Sequence, residues 1–468
     1  MSLRSSYVII LAIGLLASLA RLNAVLTFAA LVVALLLVTL LWRLHELPVL
    51  LFVAGVQWLQ ASMKIFHADL LGVAVEDLSE FPGDYVLATV LSLSGVLVFA
   101  IGIAIGRGRI QSGNIDLTLE QARRYSSDKL WWAYLASVAA CSIILAAAWL
   151  FPGLTQPLLV VARIKFAFLA ALAFVVCATD HGYRYVIVAL IIEMVIGISG
   201  FFAEYKTAIY VLSLVFLSAR RTSPTVRLSA LAGLVILGIT TSVVWTAVKG
   251  EYRDYVSEGT GQQAVTRSWT DRMDKLVDEV DNLNLQNLAE ATDTLATRIA
   301  YVDYFAATLI NVPNYEPHTD GTFLLDSLVH LVTPRLLFPD KVSLSDNEVV
   351  LTYAGIPISE SGTGTSIGLG YLGELYVDFG PIGMFIPVLG LGYIVGWIFQ
   401  YVMREHRIPR FANYGLIIVV LLPASQLEIS LIKMLGSIVT SFLVVVVLQR
   451  HFGDYFASRF RRLESVAQ

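Results

Sequence analysis

Arg335 and Lys341 stand at either end of the run Leu336-Leu337-Phe338-Pro339-Asp340, with Pro334 immediately before the arginine. Prolines on both sides restrict the backbone. A guanidinium held in one place suits planar, bidentate recognition of phosphate oxygens, while an ammonium acts as a point charge. The plainer alternative is an ion pair of Lys341 with Asp340 or Asp346. Arg163 and Lys165 open an apolar run after Phe151-Pro152-Gly153, and Glu204, Tyr205 and Lys206 fill a turn between two apolar runs. Charges beside lipid are costly unless paired or facing a wet cavity, which makes them functional candidates. Two cations as close as Arg163 and Lys165 call for an anion. A snorkelling pair of Glu204 with Lys206 or Arg163 is the competing reading. Glu193, deeper in its run, suits a hydrogen bond between helices as well as a site. Arg298, with Tyr301 one turn on, is a ligand candidate or a salt-bridge partner of Asp293 or Asp303. His318 and His330 are candidates for acid–base or phosphate work, or satisfied structural histidines. Glu374 precedes Asp378 by four residues, so on a helix the two carboxylates share a face. One can serve as general base on a hydroxyl, or simply complement a helix N-terminus. Ser359, Glu360, Thr363, Thr365 and Ser366 form a polar, glycine-rich run suited to hydroxyl recognition or to a hinge.

The chemistry the sequence does not signal narrows the field. No metal-ligand spacing is present, and no glycine-rich phosphate loop with Lys-Ser/Thr, so neither a metal ion nor ATP is expected, and no cofactor. No basic patch with interleaved aromatics points to nucleic acid. Cys141 and Cys177 both lie in apolar runs and suggest neither a disulfide framework nor a metal site.

These residues need a membrane to position them. The chain is 57% hydrophobic and only 15% charged over 468 residues, where a soluble domain has about a quarter charged residues. The expected fold class is an all-α polytopic membrane protein. Apolar runs fall at roughly 7–20, 23–41, 47–62, 85–106, 131–150, 158–178, 185–202, 205–219, 228–248, 381–402, 412–429 and 432–449. They predict about twelve transmembrane helices, the first a retained span rather than a signal peptide.

One set of alternate loops carries the positive charge: Arg43; Arg107, Arg109, Arg123, Arg124 and Lys129; Arg184; Arg220, Arg221 and Arg227; Arg404, Arg407 and Arg410. The tail adds Arg450, Arg459, Arg461 and Arg462. By the positive-inside rule these loops and both termini are cytoplasmic. The chain then divides into helices 1–9 over 1–248, a long extracytoplasmic loop over 249–380, helices 10–12 over 381–449 and a cytoplasmic tail over 450–468. The loop holds 20 acidic against 8 basic residues. Its stretch 262–310 shows helical spacing of Trp269, Met273, Leu276, Val280, Leu283 and Leu288. Its second half, broken by prolines and glycines, predicts loops and short helices over the membrane mouth.

The run from Pro334 to Lys341, Thr365-Ser366, Gly373-Glu374-Leu375-Tyr376 and Asp378-Phe379-Gly380-Pro381-Ile382-Gly383 resemble the Wzy-type polysaccharide repeat-unit polymerases of the O-antigen ligase/polymerase superfamily. In residues the likeness covers about 298–383; in layout it covers the whole chain. It implies a C-type glycosyltransferase-like fold in the bacterial inner membrane with the active loop periplasmic. The implied donor is an undecaprenyl-pyrophosphate-linked oligosaccharide, transferred without metal onto the non-reducing end of a lipid-linked repeat unit. It implies catalytic roles for Arg335, Glu374, His330 and His318. Substrate contacts would come from Arg163, Lys165, Glu204, Lys206, Arg298, Lys341 and Tyr376. The implied partners are the bilayer, a flippase and chain-length regulators. An O-antigen-type ligase and a lipid-linked oligosaccharide transporter or flippase remain as alternative readings.

Overall fold

A computed structural model of the protein describes residues 14–15, 18, 20–43, 46–79, 81–108, 114–150, 154–200, 204–219, 222–259, 265–333, 338, 345–357 and 367–462. Among the described residues every extended element is helical. In chain order they are α1 (Ala24–Leu41), α2 (Val49–Leu71), α3 (Tyr85–Arg107), α4 (Ile115–Ala122), α5 (Ser127–Leu150), α6 (Thr155–Thr179), α7 (Tyr183–Ile198), α8 (Tyr205–Ser218) and α9 (Pro224–Val256). They continue with α10 (Trp269–Asp281), α11 (Leu285–Ile299), α12 (Asp303–Asn311), α13 (Thr322–Val332), α14 (Asp346–Ala354), α15 (Tyr371–Gly383), α16 (Phe385–Arg404), α17 (Arg410–Leu421) and α18 (Leu431–Arg459).

Eight of these are long and apolar enough to cross a bilayer: α1, α2, α3, α5, α6, α9, α16 and α18. The apolar runs at 185–202, 205–219 and 412–429 form shorter helices: α7, α8 and α17. The run at 7–20 lies outside the described residues save Gly14, Leu15, Ser18 and Ala20. α6 is the central post, with 72% of its apolar window buried, whereas α5 and α9 stand at the rim with 17% each.

Local chemistry explains several boundaries. The Asp84 carboxylate caps α3 by accepting from Leu87 N at 3.0 Å, and Ser223 caps α9 with Pro224 in its first turn. α9 does not stop at Lys249 but continues to Val256. Of the stretch 262–310, for which the spacing predicts helix, the described residues form three helices that begin only at Trp269: α10, α11 and α12. Asn284 and Asn287 form a reciprocal capping box that starts α11.

The tightest helix pair is α3 with α16. Gly102 and Gly106 of α3 face Gly392 and Gly396 of α16, so the backbones touch; a Cβ on Gly106 would lie 2.0 Å from the Tyr393 carbonyl oxygen. Small residues four apart are the usual means of close helix approach in membranes.

The two ends of the bundle differ in charge. At one end the basic loops meet: Arg43 donates to the Gly108 carbonyl, Lys129 to that of Arg461, Arg462 to that of Tyr125, and Arg407 to that of Arg450. Helices α10 to α15 gather at the other end.

Candidate functional site

The site is organised by a polar stripe on an otherwise apolar helix. Gln57, Gln60, Lys64 and His67 recur at steps of three, four and three along α2, which places them on one face. All four are buried, and each has a partner from the last third of the chain or from α11 and α12.

The upper half of the stripe faces the break after α17. That helix ends at Leu421, turns through a short 3-10 segment at Leu422–Ser425, and resumes as α18 only at Leu431. Non-helical backbone inside a membrane bundle is tolerated where protein satisfies its polar groups. Here side chains do so. Gln57 Nε2 donates to the Ala424 carbonyl at 2.6 Å and its Oε1 accepts from the Tyr371 hydroxyl at 2.9 Å. Leu427 N donates to Gln60 Oε1 at 2.7 Å, and Tyr371 N to the Ile429 carbonyl at 2.9 Å. Leu431 N donates to Glu374 Oε2 at 2.7 Å.

Gln60 turns its amide nitrogen to the Glu428 carboxylate, while its backbone carbonyl accepts from Tyr301 N at 3.1 Å. The Tyr301 hydroxyl donates to the Gly368 carbonyl. Further along α2, Lys64 and Asp303 form a buried ion pair with the ammonium 4.5 Å from the centre of the Tyr85 ring. His67 Nε2 lies 3.4 Å from Asp293 Oδ1. The stripe thus pins the start of α12, part of α11 and the α17–α18 break to a spanning helix.

Around Glu428 the charges converge. Lys206, half-buried in the first turn of α8, lies within electrostatic reach of both Arg298 on α11 and Glu428. Tyr210, one turn beyond Lys206, also feels the Glu428 charge and packs with its ring centre 5.2 Å from that of Phe52. Tyr301 feels Glu428, Asp346 and Glu374. Lys206 therefore lies near both a second cation, Arg298, and the half-buried Glu428 carboxylate, whose Oε2 is held by Gln60.

Glu374 lies in α15, outside the eight spans, and is only 4% exposed. Burial pushes its carboxyl up to about 8; the Leu431 N–H and Lys433 oppose the rise, and Asp346 and Asp378 add to it. Lys433 pairs with Asp346. Glu374 accordingly fixes the start of α18. Asp378, on the same face, accepts from Thr319 Oγ1 at 2.7 Å and from Phe323 N and Leu324 N at 3.0 and 2.9 Å. It caps α13 from outside the helix.

The remaining expected residues are dispersed. Lys165 has its anion: its Nζ is 2.6 Å from Glu193 Oε2, and Glu193 Oε1 accepts from the Tyr134 hydroxyl at 2.9 Å. Arg163 is half-buried two residues earlier on α6, so it projects to a different side of the helix. Glu204 is exposed before α8. His318 holds the Val377 carbonyl through Nδ1 at 3.0 Å and lies edge-on to Tyr376, whose hydroxyl donates to the Val312 carbonyl at 2.9 Å. His330 is half-buried in the last turn of α13. Arg335 and Lys341 lie outside the described residues.

Sequence reasoning brings out Lys206, Arg298 and Glu374, names Tyr301 only as a neighbour of Arg298, and passes over Gln60 and Glu428. The stripe on α2 is the available signal, because amides and a lysine at helical spacing inside an apolar run need partners. Glu428, closing an apolar run that Pro423 interrupts, is a second. Among the described residues no group of His, Cys, Asp and Glu is arranged to hold a metal ion.

Architecture and site define a helical protein with eight helices, among the described residues, long and apolar enough to cross a membrane, and with Lys206, in the first turn of α8, within electrostatic reach of Arg298 and Glu428. The chain belongs to the family described as a domain of unknown function, DUF8712, which it matches over residues 91–405. No curated protein and no solved structure matches it.

Proposed function

We propose that the protein is a polysaccharide polymerase of the inner membrane that extends an undecaprenyl-diphosphate-linked glycan at the outer face. The single observation that carries this reading is that Lys206 lies within electrostatic reach of both Arg298 and Glu428. We retain twelve crossings, formed by the eight long spans, by α7, α8 and α17 with its 3-10 turn, and by the run at 7–20. The basic end of the bundle is then cytoplasmic, and the convergent charges face the periplasm.

In this reading Lys206 and Arg298 bind the diphosphate of the donor. The acceptor hydroxyl attacks the anomeric carbon, a new carbon–oxygen bond forms, and the bond from that carbon to the diphosphate oxygen breaks. The electron pair leaves with the diphosphate, whose growing negative charge the two cations stabilise in a low-dielectric mouth. The acceptor proton passes to Glu428, whose Oε2 is already oriented by Gln60. Glu374 acts as a positioning residue, since its carboxyl is enclosed against Leu431. Arg335 and Lys341, in the segment that follows α13, are the further donors that the family likeness implies.

The test is the purified protein in proteoliposomes with an undecaprenyl-diphosphate-linked oligosaccharide, products being separated by gel. A ladder of lengths supports the polymerase. A single transfer to an unrelated acceptor replaces it with the ligase, and vesicle uptake without new bonds replaces it with a transporter.

A further inference from the structure

α13 has three faces rather than two. Phe323, Leu324, Ser327 and Leu331 point into the protein, with Phe323 edge-on to Tyr353 at 5.4 Å. Thr322, Asp326 and His330 form a polar stripe at steps of four. Between them lies a contiguous strip of Leu325, Leu328, Val329 and Val332, which are 47–74% exposed. At 3.6 residues per turn these four fall within about a third of the helix circumference. A helix on the surface of a soluble globule would show two sides, one buried and one polar. The third, bare apolar strip needs a third surrounding.

The neighbours of α13 identify it. α13 packs against α18, a spanning helix whose buried side runs through Met434, Ile438, Ser441, Val445 and Gln449 and whose opposite side exposes Leu443 and Val447. The N-terminus of α13 is tied by Asp378 to α15, which leads straight into the span α16. Gly321, just before α13, lies against the Phe379 ring; a methyl group added at this glycine would sit 3.2 Å from it. From Phe379 the exposed apolar surface continues through Ile382 and Ile386 onto the outer side of α16. The bare strip of α13 is thus continuous with surfaces that face lipid.

We propose that α13 is an interfacial helix whose Leu325, Leu328, Val329 and Val332 are embedded among the acyl chains of the adjacent leaflet. Its polar stripe then lies at headgroup level. The Asp378 cap and the packing on α18 hold it at that depth. This placement requires only that α16 and α18 cross the bilayer, and it stands apart from the glycan chemistry proposed above.

The test uses the full chain in vesicles of phosphatidylethanolamine and phosphatidylglycerol. Val329→Cys, Leu325→Cys and Asp326→Cys variants are labelled with a bimane maleimide; labelling of the buried native Cys141 and Cys177 is measured on the unsubstituted chain and subtracted. The expected result is at least a two-fold loss of emission at 329 and 325 when the lipid acyl chains carry bromine. At those two sites aqueous iodide has little effect, and at 326 the pattern reverses. Iodide quenching at 329 and 325 would overturn the proposal by showing a strip bare to water. Protection from both quenchers would overturn it equally, by showing a second copy or another protein segment over the strip.

Discussion

Removing the ammonium of the Lys64–Asp303 pair is expected to destabilise the loop's attachment more than any other single change on α2. The two side chains are 5% and 11% exposed, and the pair joins a spanning helix to the start of α12. Lys64→Met keeps the bulk and leaves the Asp303 carboxylate buried beside Tyr85 without its cation. Breaking a buried pair in this way costs about 3–5 kcal/mol. For a chain of 468 residues the unfolding entropy is about 1 kcal/mol per K, so the melting midpoint should fall by about 3–5 °C. The assay follows exposure of buried Cys141 and Cys177 to a thiol-reactive dye during heating in detergent. Lys64→Met combined with Asp303→Leu should regain most of the loss, because no orphaned charge then remains. A single variant that melts within about 1 °C of the wild type, or a double variant no better than the single, would refute the reasoning, since both follow from the same burial cost.

Glu374 gives a pH dependence of defined sign. Its carboxyl titrates near 8 in the folded chain against an ordinary 4.5, so its contribution to stability is full below about 4.5 and is lost as pH rises through about 8. Glu374→Gln can still accept from Leu431 N, and its melting midpoint relative to wild type should climb between pH 5 and pH 9; a flat difference would show that the carboxyl is ionised throughout. Gly106→Leu should prevent the α3–α16 contact, because its Cβ would meet the Tyr393 carbonyl oxygen at 2.0 Å; a normal yield of monodisperse protein in detergent would contradict that packing. Glu428→Gln should lower chain extension by about 10²–10⁴-fold, the usual worth of general-base catalysis, while leaving donor binding within about two-fold; wild-type turnover would remove Glu428 from the base role.

The scaffold is legible in the sequence where physics is local. Apolar runs of sufficient length form helices long enough to cross a bilayer, Arg43, Arg407 and Arg462 of alternate loops and the tail bond to carbonyls of other such loops, and the 3.6-residue spacing of Trp269, Met273 and Leu276 forms α10. The site is less legible because its contacts join distant parts of the chain. Gln60 and Glu428 are 368 positions apart, and neither residue type nor local spacing announces that pairing. Lys165 shows the same limit from the other side. Its need for an anion is evident, but the anion, Glu193, sits on a different helix 28 residues on. The run 185–202 reads as one span, yet α7 stops at Ile198, where Gly197 lets Tyr205 N of α8 come within 2.5 Å of a would-be Cβ. The carboxylates four apart at 374 and 378 do share a helix, but their partners, a backbone N–H of α18 and the N-terminus of α13, become apparent only in three dimensions.

The central claim is that Lys206 and Arg298 recognise a lipid diphosphate. Titration of the purified protein with undecaprenyl diphosphate and undecaprenyl monophosphate, followed by native mass spectrometry, tests it most directly. The diphosphate should bind at least about ten-fold more tightly, the equivalent of about 1.4 kcal/mol, and Arg298→Gln should erase that preference without loss of fold. Equal affinity for the two lipids, or a preference that survives in both Arg298→Gln and Lys206→Met, would contradict the account.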